Sequence, residues 1–338
     1  MIPRFLTHRI LSLISLIRKR LQETSYLLLA FRNTSSLCTM ADAKDINRYF
    51  EIAKKLTLEA GKIIKSATDT EKLVESKSSI HSDLVTEYDK EVENILIGGL
   101  SKEFPDHKFI AEELSAQEKS IPELTDDPTW IIDPIDGTTN FVHGYPESCI
   151  SIGLTIDKEV VIGIIYNPDN CHLYTAKKNE GAFLNGVRLQ TSSVTELNKA
   201  LVSTEVALIH ESMKNRDIYA GRLEALATVT HGIRGNGSAA LSLAYVARGI
   251  VDIYQMHGLK PWDVAPAILL IQEAGGIVTD LKGQPFSVMK SKLGIIAASN
   301  KQLVKEVTKL IIETDLKTQR KRLKRTEKFT SRCRYNLM

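Results

Sequence analysis

The stretch that decides the fold is Trp130-Ile131-Ile132-Asp133-Pro134-Ile135-Asp136-Gly137-Thr138-Thr139-Asn140. Trp130, Ile131 and Ile132 form an apolar lead of the kind that ends a buried strand. Asp133 and Asp136 follow, three residues apart across Pro134, with Gly137, Thr138 and Thr139 directly behind. The segment reads as strand, tight turn and helix start. Free N–H groups at a helix start hold phosphate, and carboxylate oxygens hold hard cations. A point that offers both binds metal and phosphate together. Asp and Gly also form ordinary turns, but such a turn needs one Asp, not two flanking Pro-Ile with Gly-Thr-Thr behind.

Outward from this motif the periodicity changes twice. Upstream, residues 43–67 and 83–100 carry apolar residues at helical spacing, the second with Asp83 as cap. Lys108 to Ala111 is a short strand ending in Glu112-Glu113, and 116–128 is a polar loop. Downstream, 148–156, 160–166, 172–176, 182–184 and 187–189 are β-rich runs, with turns at Asp157-Lys158-Glu159 and Asn185-Gly186. They predict an antiparallel meander. The last third alternates: strands at 200–204, 231–234, 251–256, 277–279 and 295–298, and helices at 211–228, 238–248, 264–274 and 301–314. A meander followed by strand–helix alternation gives an α/β fold with helices layered on two sheets.

The chain has 338 residues, enough for one large or two modest domains. At 43% hydrophobic and 25% charged it is neither a disordered nor a membrane-embedded composition. The net charge of +3 is unevenly placed. Residues 1–40 hold six basic residues and one acid, and 315–338 hold nine basic and two acidic, so the remainder carries about −9. An acidic body suits divalent cations better than nucleic acid. Cys38, Cys149, Cys171 and Cys333 form no CxxC pair and no zinc spacing, and read as free thiols in a reducing compartment. Residues 1–36 are Arg-rich, Ser-containing and nearly acid-free, as a mitochondrial transit peptide is; the other reading is an upstream extension, with Met40 as the natural start. The run Lys317 to Lys328 reads as a solvated basic tail. No apolar stretch has the length of a membrane span.

Four acids stand at strand ends or turns: Glu112, Asp133, Asp136 and Asp263. Asp263 alone also reads as the N-cap of a helix starting at Val264. No GxSxG elbow is present, Cys149 has no evident His partner, and the histidines at 81, 107, 143, 210, 231 and 257 are scattered as surface or packing residues.

With these residues in view, the chain resembles the inositol monophosphatase family of lithium-sensitive, magnesium-dependent phosphatases over about residues 41–314. Two signatures carry the resemblance: Trp130 to Asn140, and Trp262-Asp263-Val264-Ala265 followed by Glu273-Ala274-Gly275-Gly276. Asp83-Leu84-Val85-Thr86 with Asp89, Glu112-Glu113 and Gly237-Ser238-Ala239-Ala240 support them. The resemblance implies a layered α-β-α-β-α sandwich of the inositol monophosphatase and sugar phosphatase type. Residues 1–40 and 315–338 would then be basic extensions around a 41–314 catalytic domain. It implies Mg²⁺ held by Glu112, Asp133, the Ile135 carbonyl, Asp136 and Asp263, with Glu112, Thr138 and Asp89 in the proton network. Asp136, Gly137, Thr138, Gly237, Ser238, Ala239 and Asp263 would contact a small phosphate ester. Lys77 matches a position near the site. A cytoplasmic homodimer follows from the same resemblance, with a mitochondrial location if 1–36 is a transit peptide.

Three positions depart from the family pattern. Met256 stands where the family has an inositol-contacting glutamate. Thr204-Glu205 is followed by Val206, Ala207 and Leu208 rather than a serine. Pro266 replaces a small residue, in what reads as the first turn of the helix from Val264, so little cost is expected. Three functions stay open: a polyol monophosphatase acting on a compound such as myo-inositol 1-phosphate, the same chemistry on another sugar phosphate or nucleotide bisphosphate, and a non-catalytic binding descendant.

Overall fold

The computed structural model describes residues 45–67, 70, 72–76, 84–206, 215–289 and 294–335, with side chains up to residue 323. Lys77, Asp83, Leu208, His81, His210 and the N-terminal extension therefore lie outside the described residues. The chain divides into two compact units, residues 1–51 and 52–338. The elements below belong to the larger one, apart from the opening turns of the first helix.

The meander forms as its pattern predicts. Strands β3 (Lys108–Ala111), β4 (Thr129–Asp136), β5 (Cys149–Ile156), β6 (Glu159–Asn167), β7 (His172–Lys177), β8 (Gly181–Leu184) and β9 (Val187–Arg188) build one seven-stranded sheet in that order. Only the β3–β4 pair is parallel. Asp157 and Lys158, and Asn185 and Gly186, take the left-handed backbone that tight hairpins require. A two-stranded ribbon, β1 (Val74–Ser76) with β2 (Leu84–Thr86), precedes the sheet.

A second sheet of five strands has the order β11 (Gly232–Arg234), β10 (Leu201–Ser203), β12 (Ile253–Met256), β14 (Ile295–Ala298) and β13 (Ile277–Asp280). β10, β11 and β12 run parallel; β13 and β14 pair antiparallel.

Helices α6 (Ala239–Ala247) and α7 (Pro261–Glu273) lie between the sheets. Both are apolar nearly all round, as a helix covered on two faces must be. Residues 52–67 of α1 (45–67), and α2 (Glu87–Glu103), cover the outer face of the first sheet: a Cβ on Gly61 of α1 would strike Tyr166 of β6. α5 (Arg216–Val229) and α8 (Lys301–Tyr335) cover the second. The layers are thus α-β-α-β-α, as expected. α7 approaches β5 and β6 closely because two strand residues facing it are glycines. A Cβ on Gly163 would sit 2.5 Å from the Pro266 carbonyl oxygen.

Several boundaries differ from the sequence reading. α2 begins at Glu87, capped at Thr86, because Leu84–Thr86 is drawn into the β1–β2 ribbon. The 116–128 loop is shortened by α3 (Glu112–Glu118), which ends at left-handed Lys119. α7 begins at Pro261, so Asp263 is not an N-cap but the third helical residue, accepting the Lys260 N–H at 2.6 Å. Pro266 consequently lies in the second turn, where a proline deprives the carbonyl four residues back of its donor. That carbonyl, on Trp262, accepts the Ser151 hydroxyl at 2.8 Å instead. α8 does not stop at 314. Residues 315–335 contain no Gly or Pro, and α8 is tied to α5 by the bidentate Arg222–Asp315 pair at 2.8 and 2.6 Å and by Arg322–Asp217. Among the described residues, no helix is long and apolar enough to cross a membrane.

Candidate active site

The site grows from the end of β4. Asp133 pairs with Ser151 and Asp136 with Cys149, so three steps on β4 match two on β5. This is a bulge, and Pro134 is tolerated there because a bulge leaves backbone groups outside the ladder. It also sets the acids: three apart in a regular strand they would point to opposite faces. With one residue extra they share a face.

α7 brings Asp263 to the same point. The carboxylates of Asp133, Asp136 and Asp263 offer oxygens all within 4.8 Å of one another. Asp133 and Asp136 are buried, at 2% and 9% exposure. Glu112 opens α3 and is half-buried, and its carboxyl is in hydrogen-bond reach of Asp133. Burial pushes Asp133 well above the carboxylate range, and the charges of Glu112, Asp136 and Asp263 push the same way. Burial likewise raises Asp263, with Asp136 adding to it. Asp136 rises only to about 6, because the Ser238 hydroxyl and the Ala240 N–H counter its burial. Like charges this close cannot all ionise alone. A buried, oxygen-only donor set of this kind fits a hard divalent cation.

Each acid is held by a different element. Asp136 Oδ2 accepts the Ser238 hydroxyl and the Ala240 N–H at 2.8 Å, both at the start of α6. Ser238 also accepts the Leu241 N–H, so one hydroxyl caps α6 and fixes the acid. Asp133 Oδ1 accepts the Ile135 N–H at 3.1 Å. Beyond the bulge, Gly137 takes φ +88°, where a Cβ would lie 2.9 Å from the Glu147 carbonyl oxygen. The chain then enters α4 (Thr138–Val142), whose leading N–H groups have no acceptor within the helix.

Thr138 Oγ1 donates to the Ile135 carbonyl at 3.0 Å and lies 3.3 Å from Asp89 Oδ1. Asp89 is fully buried, its Oδ2 accepting the Thr86 N–H and hydroxyl at 2.7 and 2.6 Å. Asn140 ties α4 to the loop after β11 by donating to the Asn236 carbonyl at 2.7 Å. Gly237 has φ +74°, and a Cβ there would meet the Asn140 side chain.

The fold thus gathers Glu112, Asp133, Ile135, Asp136, Gly137, Thr138, Asp89, Gly237, Ser238, Ala239 and Asp263 around one corner. Met256 is half-buried at the end of β12, and Lys77 and Leu208 are not described. Cys149 lies 3.9 Å from Asp136 Oδ2, and burial pushes its thiol well up, which makes it inert. His107 accepts the Trp130 indole N–H at 3.0 Å and stacks on Phe104, a packing role. Glu205, unassigned by the motifs, has a carboxyl that accepts the Gly237 N–H at 3.1 Å.

Comparison with known proteins decides the class. The profile of the inositol monophosphatase family matches residues 45–314. The chain belongs to the inositol monophosphatase family. Inositol monophosphatase 2 of Mus musculus is 43% identical over 254 residues, 75% of this chain and 86% of the relative. Inositol monophosphatase 1 of Bos taurus is 43% identical over 262 residues, covering 77% and 93%. Among solved structures, an inositol monophosphatase of Thermotoga maritima aligns with a TM-score of 0.68 at 33% identity, covering 78% of this chain and 96% of its own. An extragenic suppressor protein of Bartonella henselae aligns at 0.69 and 32% identity, covering 77% and 97%. As an inositol monophosphatase family member, the protein is a phosphoric monoester hydrolase.

Proposed function

We propose that the protein hydrolyses a small polyol monophosphate, such as myo-inositol 1-phosphate, to free polyol and phosphate with Mg²⁺ as cofactor. The observation that carries this reading is the buried carboxylate cluster at the bulge, set directly before the open N–H groups of α4. Glu112, Asp133, Asp136, Asp263 and the Ile135 carbonyl would hold the cation. When bound, the ion supplies Lewis acidity to the phosphoryl oxygens and makes its water more acidic.

The chain's own groups do the rest. The N–H groups of Gly137 and Thr138 face the phosphate oxygens. Glu112 orients the attacking water and takes its proton. Thr138, fixed between the Ile135 carbonyl and Asp89, holds a second proton in that network. Ser238 and the Ala239–Ala240 backbone keep Asp136 in place and, with Gly237, line the ester side. Attack is in line on phosphorus, without a phospho-enzyme.

The rest of the reading follows the family resemblance: lithium sensitivity, a homodimer, a cytoplasmic location, and a 41–314 catalytic region between basic ends of residues 1–40 and 315–338. A second substrate class, a sugar phosphate or nucleotide bisphosphate, is favoured by one observation, the apolar Met256 at the end of β12. The test is phosphate release from a panel of polyol, sugar and nucleotide phosphates, with and without Mg²⁺. Release only with Mg²⁺, and fastest from polyol monophosphates, is expected. No release from any ester refutes the assignment and leaves the binding descendant.

A further inference from the structure

The five-stranded sheet holds a carboxylate that the chemistry above does not use. β10 lies between β11 and β12, parallel to both, with Ser203 opposite Arg234 and Tyr254. Two residues further on, the three strands bring Glu205, Asn236 and Met256 to one carboxyl edge. In open α/β sheets ligands bind in the crevice outside this edge.

Glu205 sits at its centre and is attached to the site. Its Oε2 accepts the Gly237 N–H at 3.1 Å, and the Asn236 N–H bonds the same carboxyl. The next residue, Ser238, holds Asp136. The other oxygen, Oε1, is buried and has no hydrogen-bond partner. A buried acceptor left unmet is costly, and a donor brought by a ligand would relieve that cost. Burial raises Glu205 to about 7, with the charge of Asp136 adding to it and the two N–H bonds opposing. The Tyr254 hydroxyl below it is buried and makes no bond to it.

We propose that Glu205 determines substrate specificity: Oε1 accepts a hydroxyl of the organic half of the ester while Oε2 holds the Asn236–Gly237 loop. The proposal rests on the phosphomonoesterase reading and deepens it. It places the acceptor for a polyol hydroxyl just past the end of β10, one strand across from Met256.

The test compares myo-inositol 1-phosphate with 4-nitrophenyl phosphate, an ester without aliphatic hydroxyls, in wild type, Glu205→Gln and Glu205→Ala. Calorimetric titration with myo-inositol in the presence of inorganic phosphate runs beside it. Glu205→Gln keeps the shape and is expected to raise KM for the inositol ester roughly tenfold more than KM for the aryl ester. Myo-inositol affinity should fall by a similar factor. Glu205→Ala, which also frees the loop, is expected to lower kcat on both esters. An equal change in both KM values, or none, with unaltered myo-inositol affinity, overturns the proposal and leaves the phosphatase reading standing. A wild type that releases no phosphate but binds myo-inositol through Glu205 removes the phosphatase reading alone. A wild type that does neither overturns both.

Discussion

Asp136→Asn is expected to end activity and yet stabilise the protein when metal is withheld. Asp136 is buried, and its carboxyl stands at about 6 instead of the ordinary 3.8. That difference corresponds to roughly 3 kcal/mol of destabilisation when the group is ionised in the fold. The sign follows from proton binding. Between 3.8 and about 6 the folded state holds the proton and the unfolded state does not, so stability falls as pH rises through this window. The penalty is absent below the unfolded value and complete above about pH 7. Asparagine removes it and still offers an oxygen to Ser238 and the Ala240 N–H, though without the strength of charged acceptors. A net gain of about 1–2 kcal/mol at pH 8 in chelator is therefore expected, shrinking towards pH 4. Urea unfolding in EDTA across that range measures it. Added Mg²⁺ should then stabilise the wild type more than the variant, because the ligand is gone. A variant less stable than wild type in EDTA at pH 8, or a difference independent of pH, would refute the electrostatic account of the cluster.

Three further outcomes follow from the same geometry. Thr138→Ala is expected to lower kcat roughly 100-fold with KM little changed, and Thr138→Ser to restore most of it; unaltered kcat would remove Thr138 from the proton network. Ser151→Ala should cost about 1–3 kcal/mol by leaving the Trp262 carbonyl without a donor, and much less in a Pro266→Ala background, where a helical N–H returns. Strict additivity in that double-mutant cycle would disprove the exchange of donors. Gly163→Ala, whose Cβ would meet backbone rather than a movable side chain, should cost about 2 kcal/mol or more by pushing α7 off the sheet, read as a lower melting temperature.

Where one physical signal dominates, the sequence is easily read. The meander is spelled by apolar runs between turns that demand left-handed backbone, as at Asn185-Gly186. The cluster is equally plain, because four acids behind apolar leads have few other uses. Other features depend on partners distant in sequence. Leu84–Thr86 reads as helix until Val74–Ser76 claims it as a strand. Asp263 resembles a cap only while Pro261 is left outside α7, and that same choice puts Pro266 in the wrong turn. The donor that makes Pro266 tolerable, Ser151, is 111 residues from Trp262. α8 runs on past 314 because Arg222 and Asp217, on another helix, pair with Asp315 and Arg322. Glu205 is the hardest to see: the sequence marks it only as half of the Thr204-Glu205 pair, and its place emerges from the parallel register of β10, β11 and β12.

The bulge in β4 has a consequence for how this site can be lost. Asp133 and Asp136 cooperate because an odd count separates them where an even one would normally be needed. What the extra residue adds is a carbonyl at the site, stored in the length of the segment and not in the identity of Pro134 or Ile135. Deleting either residue would remove the bulge and bring β4 back into step with β5. It would also leave both aspartates intact and on one face, now two apart, but take away the bulged carbonyl that accepts the Thr138 hydroxyl. A scan of single substitutions, however complete, would never encounter that lesion.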